Sequence, residues 1–418
     1  MIGRLLRHHT ACWTILLLPA AGASPRTAAG DGAFFRPVGQ AAELVGGAGD
    51  GVASPKQEAL LATDGQEVTV VLRTYFRRGP DELAWVVPVP AKPDSVDKAD
   101  DAIFEQLNRE TTPRFFLPSN KGGGLGCGCG AANWAGNGIQ ADPAVTVEEA
   151  GTAGIFEYVV LSAKEPKALH QWLNDHRYAV GVGADRVFAR YVADGWYWLA
   201  MRIRPEEADK PTLAPHPITY TYTDDELVYP LVISQLSADL ENEIVLYVVA
   251  PQRVACANWA NHTVDADRVR VVPDSPSGTN YEKLITTATT EHGGHVFVTE
   301  YAQPVARAYG LTDELAGLGT AGRQHDRYLT RLRAVMTPKA MDRDVTLVPV
   351  SGWGDVSNSF MLPDNGATTA AAVLVPLAPL GLAACFALTG VGLLRRGGWR
   401  RGIGVGCLAL AAVASAMV

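Results

Sequence analysis

The chain has few of the residues and patterns on which familiar catalytic sites are built. Only six of its 418 residues are cysteines. No Gly-x-Ser-x-Gly sequence occurs, so the nucleophile turn of the α/β-hydrolases is absent. A glycine-rich stretch occupies 122–130, but no Lys-Ser/Thr pair follows it, as a phosphate-binding loop requires. These absences exclude the common hydrolase and nucleotide-binding motifs.

Positive charge is scarce in the middle of the chain. Six of the 36 Lys and Arg residues lie in the two apolar ends of the chain, and none of the 44 Asp and Glu residues does. The region between the ends therefore carries 30 basic and 44 acidic side chains, a net charge of about −14 with histidine neutral. Such a surface repels a phosphate backbone, so the sequence predicts no nucleic-acid partner.

The first residues have the three parts of a secretory signal peptide. Two arginines precede an apolar run at 11–21, and the small residues needed for cleavage end that run: Ala21, Gly22, Ala23. We therefore predict a signal peptide over 1–23 and export of the region 24–366. The alternative is a first membrane anchor that is not cleaved.

Two apolar segments close the chain, at 367–394 and 402–418. The first has no charged residue and is longer than the roughly 20 apolar residues that cross a bilayer. The loop between them, 395–401, contains four arginines, and basic loops stay on the cytoplasmic side. We predict a transmembrane helical hairpin in the cytoplasmic membrane, with the main region extracytoplasmic. A competing interpretation is a sortase sorting signal at 362–366, although asparagine replaces the threonine at which transfer occurs.

The clearest local pattern of the exported region is a β-hairpin. Asp-Gly at 64–65 separates two strand-like runs, 58–63 and 66–76, and this dipeptide favours a tight hairpin turn. The next run, 83–90, reads Leu-Ala-Trp-Val-Val-Pro-Val-Pro. Because proline cannot donate to a strand ladder, the two prolines either end this strand or place it at a sheet edge. We predict that the run forms the rim where a sheet meets the following helix, 97–109.

Strand and helix patterns alternate along the rest of the region. Together they predict an α+β fold of mixed, largely antiparallel sheets with packed helices, and a candidate boundary within the glycine-rich loop 119–142. The predicted strands are 145–147, 155–161, 196–204, 218–222, 231–235, 244–250 and 345–350. The predicted helices are 166–176, 184–191, 281–289, 312–318 and 328–335.

Several of these segments resemble one family. They are Ala-Trp-Val-Val-Pro-Val-Pro at 84–90, Gly-Ile-Phe-Glu-Tyr-Val-Val-Leu at 154–161, Tyr-Pro-Leu-Val-Ile-Ser at 229–234 and Tyr-Leu-Thr-Arg-Leu-Arg at 328–333. The chain is similar here to bacterial domain-of-unknown-function family 2330, whose uncharacterised members are exported or membrane-anchored. The resemblance covers roughly 31–349 and implies export and a common fold, without an activity. Asp31 stands where a cysteine is expected, which puts a shared disulfide there in doubt.

Three cysteines of the exported region are the first candidates for chemistry: Cys127, Cys129 and Cys256. One interpretation is a disulfide from Cys256 to either loop cysteine, since the compartment is oxidising. Another is a zinc site that adds either His262 or the pair His292 and His295, because zinc prefers thiolate and imidazole ligands. Unpaired or intermolecular thiols are the third. The spacing of the cysteines along the chain does not distinguish these three interpretations.

Two further groups are candidates for binding. Five aromatic residues on predicted strands could line a carbohydrate groove, although such residues more often divide between core and surface: Trp196, Tyr197, Trp198, Tyr220 and Tyr222. The acidic stretch 224–226 is most simply a solvated turn; it could hold calcium but lacks the alternating oxygen ligands of a calcium loop.

The sequence thus favours a non-enzymatic binding or structural module of the cell envelope, anchored in the membrane, with an envelope protein or a glycan as partner. The alternative is a metal- or thiol-dependent extracytoplasmic enzyme that uses the cysteines and histidines above. No catalytic residue and no cofactor is predicted, except zinc in that alternative.

Overall fold

A computed structural model of the chain describes residues 32–38, 56–73, 83–116, 145–204, 215–238, 241–308, 310–311, 315 and 327–363. The predicted signal peptide, the glycine-rich loop and both C-terminal apolar segments lie outside the described residues. Within the described part of the chain, no helix has the length and hydropathy needed to cross a bilayer.

The described residues form nineteen strands and four α-helices. The helices are α1 (Ala102–Thr111), α2 (Pro166–Asp175), α3 (Ala184–Ala193) and α4 (Tyr281–Glu291). The strands are β1 (Ala33–Pro37), β2 (Lys56–Thr63), β3 (Glu67–Arg73), β4 (Ala84–Val89), β5 (Ser95–Lys98), β6 (Arg114–Phe116), β7 (Val145–Ala153), β8 (Phe156–Ala163), β9 (Tyr178–Ala179), β10 (Tyr197–Ile203), β11 (Ile218–Thr223), β12 (Leu227–Tyr229), β13 (Asn242–Ala250), β14 (Val254–Cys256), β15 (Ala260–His262), β16 (Val296–Pro304), β17 (Tyr328–Met336), β18 (Val345–Pro349) and β19 (Ser359–Met361).

Two large sheets contain most of these strands. The first sheet has the order β7-β8-β10-β4-β1-β9 and is antiparallel throughout. The second has the order β15-β16-β17-β13-β2-β3-β11-β5 and is antiparallel except for the pairs β13–β2 and β15–β16. A three-stranded sheet, β12-β18-β14, and a parallel pair, β19-β6, complete the structure. The expectation of mixed, largely antiparallel sheets with packed helices is confirmed.

The two large sheets pack face to face around one apolar core, which contains Trp85 and Val87 of the first sheet and Leu61 and Leu246 of the second. Helices α2 and α3 cover the other face of the first sheet. Helix α1 covers the other face of the second sheet. The order of layers is therefore helix, sheet, sheet, helix, and each sheet is buried on both faces.

The tryptophan-containing run lies inside the first sheet and not at its edge, so that prediction is wrong. Trp85 is buried between the sheets, where its ring lies 5.9 Å from that of Phe34 and 5.8 Å from that of Phe156. Pro88 pairs with Trp198 of β10, whereas the pairing of β1 with β4 stops opposite Val86. The register therefore leaves Pro88 with a ladder partner on one side only, which is how an interior strand accommodates proline.

The predictions of helices at 166–176, 184–191 and 281–289 are confirmed as α2, α3 and α4. Two others need correction. The start of the predicted helix 97–109 belongs to β5, and α1 begins only at Ala102. The predicted helix 328–335 is strand β17, because it pairs with both β13 and β16 in the middle of the second sheet. The predicted strand 231–235 is a 3₁₀ helix, Val232–Leu236.

Candidate binding site

Cys256 lies on β14, is only 4% exposed and forms no disulfide with another described residue. Burial raises the pKa of its thiol, which favours the protonated form over the thiolate that reacts or binds metal. Its backbone N–H donates to Asn261 Oδ1 at 2.9 Å. Cys127 and Cys129 lie outside the described residues, so both the disulfide and the zinc site stay predictions.

The two predicted metal-binding histidines have separate partners. His292 caps the end of α4, and its Nδ1 donates to the carbonyl oxygen of Ala288 at 2.9 Å. His295 Nε2 lies 3.2 Å from a carboxylate oxygen of Asp342, and its ring lies 5.3 Å from that of Trp259. The described residues contain no group of three or more His, Cys, Asp or Glu side chains that could hold a metal ion.

The five aromatic residues proposed for a carbohydrate groove do not share a surface. Trp198 is buried beneath helices α2 and α3, while Tyr220 and Tyr222 are buried in the core between the two sheets. Trp196 and Tyr197 are half-buried. The groove prediction is therefore wrong, and the reason is that alternate residues of these strands face different layers.

Among the described residues, a cavity of about 370 Å³ lies where several turns meet. Ligand pockets typically have volumes of about 300–1,000 Å³. We call this the acidic cavity. It is lined by Thr63, Gly65, Asp224, Asp225, Glu226, Leu227, Ala250, Pro251, Gln252, Val254, Thr346, Leu347, Val348 and Pro349.

The β2–β3 hairpin forms one wall of the acidic cavity. Asp64 Oδ1 accepts the backbone N–H groups of Gln66 at 3.0 Å and Glu67 at 2.9 Å, and Gly65 has a φ of +101° that favours glycine. These hydrogen bonds lower the pKa of Asp64, because they stabilise its charged form. The carbonyl oxygen of Gln66 accepts the N–H of Asp224 at 2.8 Å and so joins the hairpin to the next wall.

That next wall is the acidic turn between β11 and β12. Asp224 Oδ1 accepts the N–H of Glu226 at 3.0 Å, which shapes the turn, and the side chains of Asp225 and Glu226 are exposed. Buried apolar residues lie deeper, among them Leu227 and Leu347. The acidic cavity thus has apolar walls and three acidic residues on its solvent-exposed turn, and its lining residues include no Lys or Arg.

A second cavity lies between α2 and the first sheet, next to the stacked rings of Trp172 and His176. Its volume is only about 60 Å³. Water occupies about 30 Å³ in the liquid, so this cavity holds no more than about two water molecules. It is too small for a metabolite.

A network of buried charges crosses the second sheet. Arg331 Nε donates to Glu300 Oε2 at 2.7 Å, and its Nη1 donates to Tyr247 Oη at 2.8 Å. Glu58 accepts from Asn108 Nδ2 at 2.8 Å and from Arg73. The side chains of Arg331 and Glu300 are 4% and 0% exposed, and the network lies beneath α1. Sequence reasoning missed it because the segment that supplies Arg331 was read as a helix.

Glu58 shows how this network controls ionisation. Burial opposes the charged carboxylate, but the positive charges of Lys56 and Arg73 and hydrogen bonds outweigh it, so the pKa of Glu58 falls to about 2. A buried charge satisfied in this way stabilises one arrangement of the strands, and it is closed to a ligand.

The sequence model of a family described as "Uncharacterized protein conserved in bacteria", domain of unknown function 2330, matches residues 39–348. The chain belongs to this family. The family range includes every residue that lines the acidic cavity except Pro349. No curated protein matches the chain.

Solved structures of a baculovirus protein have a weak similarity to this chain. The crystal structure of baculovirus P35 has 10% sequence identity and a TM-score of 0.30, over 71% of this chain and 97% of that one. P35 in the caspase-8/P35 complex has 8% identity and a TM-score of 0.29 over the same shares. A mutated P35 after caspase cleavage has 9% identity and a TM-score of 0.28, over 46% of this chain and 64% of that one, which is less than two thirds of its length. TM-scores this low support no conclusion about this protein.

Proposed function

We propose that this protein is an exported, membrane-anchored module of the bacterial cell envelope that binds a small ligand, without chemical conversion, in the acidic cavity. The observation that carries the proposal is the cavity itself. It has the volume of a metabolite site, apolar walls and a small number of polar groups at its opening.

The location rests on the sequence. The signal-peptide pattern at 1–23 and the apolar segments at 367–394 and 402–418 independently favour the same orientation, with the main region outside the cytoplasm. The net charge of that region, about −14 with histidine neutral, keeps it solvated beside an anionic membrane.

Binding is favoured over catalysis by the groups present at the site. Threonine is the one hydroxyl-bearing residue type among the described residues that line the acidic cavity, and none of them is Ser, Cys or His. The buried thiol of Cys256 is held in its unreactive form. The alternative, a thiol- or metal-dependent enzyme, requires Cys127 and Cys129 to approach Cys256, His292 and His295.

The test is to identify what the full-length protein retains. Thr346→Trp places a large ring on β18 where Thr346 lines the cavity, and Thr219→Trp is a matched control on β11 outside it. We expect mass spectrometry to find a small molecule bound to the wild type and to the control, and its loss from Thr346→Trp at an unchanged melting temperature. Protease treatment of intact spheroplasts should cleave the main region. Equal ligand retention by all three proteins, or protection from protease, would refute the proposal.

A further inference from the structure

We infer that the ligand of the acidic cavity is a small organic cation: one amine or guanidinium group on an apolar body. This inference rests on the proposed function, because it assigns a chemical class to the ligand of the same site. It follows from the charge at the opening of the cavity, from the apolar walls and from the partners of the nearest arginines.

The charge at the opening is negative and little compensated. Asp224, Asp225 and Glu226 line the cavity, and no Lys or Arg does. The exposed carboxylates of Asp64 and Glu67 belong to the adjoining hairpin. A negatively charged surface attracts cations and repels anions, so the cavity selects for a positively charged ligand.

Two arginines lie on neighbouring segments, but both have other partners. Arg327 Nη1 donates to the carbonyl oxygen of Thr63, a lining residue, at 2.7 Å, and its positive charge also acts on the carboxylate of Asp64. The guanidinium group of Arg253 donates to the carbonyl oxygen of Gly354 and lies 5.2 Å from the centre of the Trp353 ring. Neither residue lines the cavity, so neither replaces a cationic ligand there.

The walls explain why the ligand is organic and not a bare metal ion. Leu227, Val254 and Leu347 are buried and line the cavity together with Ala250 and Pro251. Apolar walls gain from burying carbon and offer nothing to a hydrated ion. One oxygen of Asp224 already accepts the N–H of Glu226, and calcium needs six to eight oxygen ligands.

The experiment is calorimetric titration of the purified full-length protein with three probes of similar shape and different charge. These are 2-phenylethylamine, 2-phenylethanol and phenylacetate, and calcium chloride is titrated alone as the fourth. We expect the amine to bind at least about tenfold more tightly than the alcohol, since a charge-assisted hydrogen bond is worth about 1.5 kcal/mol or more. Phenylacetate and calcium should give no heat of binding.

Two substitutions locate the effect. Asp225→Asn and Glu226→Gln remove charge from exposed side chains that form no hydrogen bond with another described residue, so both variants should fold normally. Each should weaken amine binding several-fold and reduce its salt dependence, while Asp194→Asn, exposed beyond the end of α3, should change neither. Equal binding of amine and alcohol, binding of calcium alone, or an unchanged affinity in both variants would overturn the inference. Equal binding of amine and alcohol would overturn only the assignment of a cationic ligand and leave the proposed binding function intact. If the purified protein retains no ligand, both the proposed function and this inference are refuted.

Discussion

Tyr191 Oη donates a hydrogen bond of 2.8 Å to Asp344 Oδ1, across 153 residues of sequence. The same oxygen accepts the N–H of Val232 at 2.8 Å, and Arg190 Nε lies 3.3 Å from the other carboxylate oxygen. One side chain therefore ties α3, the 3₁₀ helix and the start of β18 together. Burial raises the pKa of Asp344 despite these partners, since it disfavours the charged form.

This junction predicts unequal effects of two substitutions at Asp344. Asp344→Ala leaves the Tyr191 O–H and the Val232 N–H without an acceptor, although the Tyr191 oxygen still accepts the N–H of Ile233 at 3.1 Å. Each lost acceptor costs about 1–3 kcal/mol of unfolding free energy. Asp344→Asn keeps an acceptor oxygen and should cost about 1 kcal/mol or less. Urea unfolding of the two variants measures both changes in the free energy of unfolding. An alanine variant as stable as the asparagine variant would show that the junction contributes little.

The pKa of Asp344 also gives the asparagine variant a pH signature. A raised pKa means that the folded state holds the proton more tightly than the unfolded state. Its contribution to stability is therefore present below the usual pKa of 3.8 and is lost as the pH rises through the raised value. Wild type should lose stability relative to Asp344→Asn as the pH rises above 3.8.

Glu58 predicts the opposite pH dependence. Its pKa is lowered from 4.5 to about 2, so its contribution to stability is present above pH 4.5 and is lost as the pH falls towards 2. Since a tenfold change in an equilibrium constant corresponds to about 1.4 kcal/mol, the lowered pKa contributes about 3 kcal/mol to the free energy of unfolding. Thermal unfolding of wild type between about pH 2 and pH 6 should show that loss, and Glu58→Gln should show a flatter profile and lower stability at about pH 7. The exposed control Glu165→Gln should follow wild type.

The local parts of the fold could be predicted from sequence. The Asp64-Gly65 hairpin and three helices depend on residues close together in the chain, and their patterns sufficed. Strand β17 could not be recognised, because the partners of Arg331 lie far away in sequence: Glu300 is 31 residues distant and Tyr247 is 84. Its pairing with the distant strands β13 and β16 decides its conformation.

The binding site was hidden for the same reason. Its lining comes from the turns at 63–65 and 224–226 and from β18, and no pattern along the chain connects these segments. The acidic stretch 224–226 is apparent in the sequence and predicts a solvated turn, and the exposure of Asp225 and Glu226 supports that prediction. The sequence alone does not predict that the other segments place an apolar wall beside this acidic turn.

Removal of one charge from the buried network should lower the free energy of unfolding strongly. Arg331→Met leaves the buried carboxylate of Glu300 with the Tyr281 hydroxyl at 3.2 Å and the more distant guanidinium group of Arg333 at 3.5 Å, and should cost about 3–5 kcal/mol of unfolding free energy. The double variant Arg331→Met/Glu300→Leu removes both charges and should recover part of that loss. Guanidinium chloride unfolding of the single and double variants gives the coupling free energy between Arg331 and Glu300. A double variant less stable than the sum of the two single effects would contradict this account.

Cys256 should be unreactive in the folded protein. Its thiol is buried and its pKa is raised by burial, so maleimide labelling of native wild type and native Cys256→Ser should modify the same number of thiols. In denaturant, the wild type should show one thiol more than the variant. If the denatured wild type instead gains two thiols on reduction and the variant gains none, Cys256 is a disulfide partner. Labelling of Cys256 in the native state would contradict the burial.

Trp85 should be among the residues on which stability depends most. Its ring is 2% exposed and contacts Phe34 and Phe156 in the core between the two sheets. Trp85→Ala removes that ring and leaves a cavity, at a cost of about 3–5 kcal/mol, while Trp85→Phe keeps part of the volume and should cost less. Val182→Ala is the control: Val182 is fully exposed, so the change should be within about 0.5 kcal/mol. Urea unfolding compares the three. Since the strand pairs on both sides at Trp85, a stable, well-folded Trp85→Ala protein would mean that the two sheets do not share the core assigned to them.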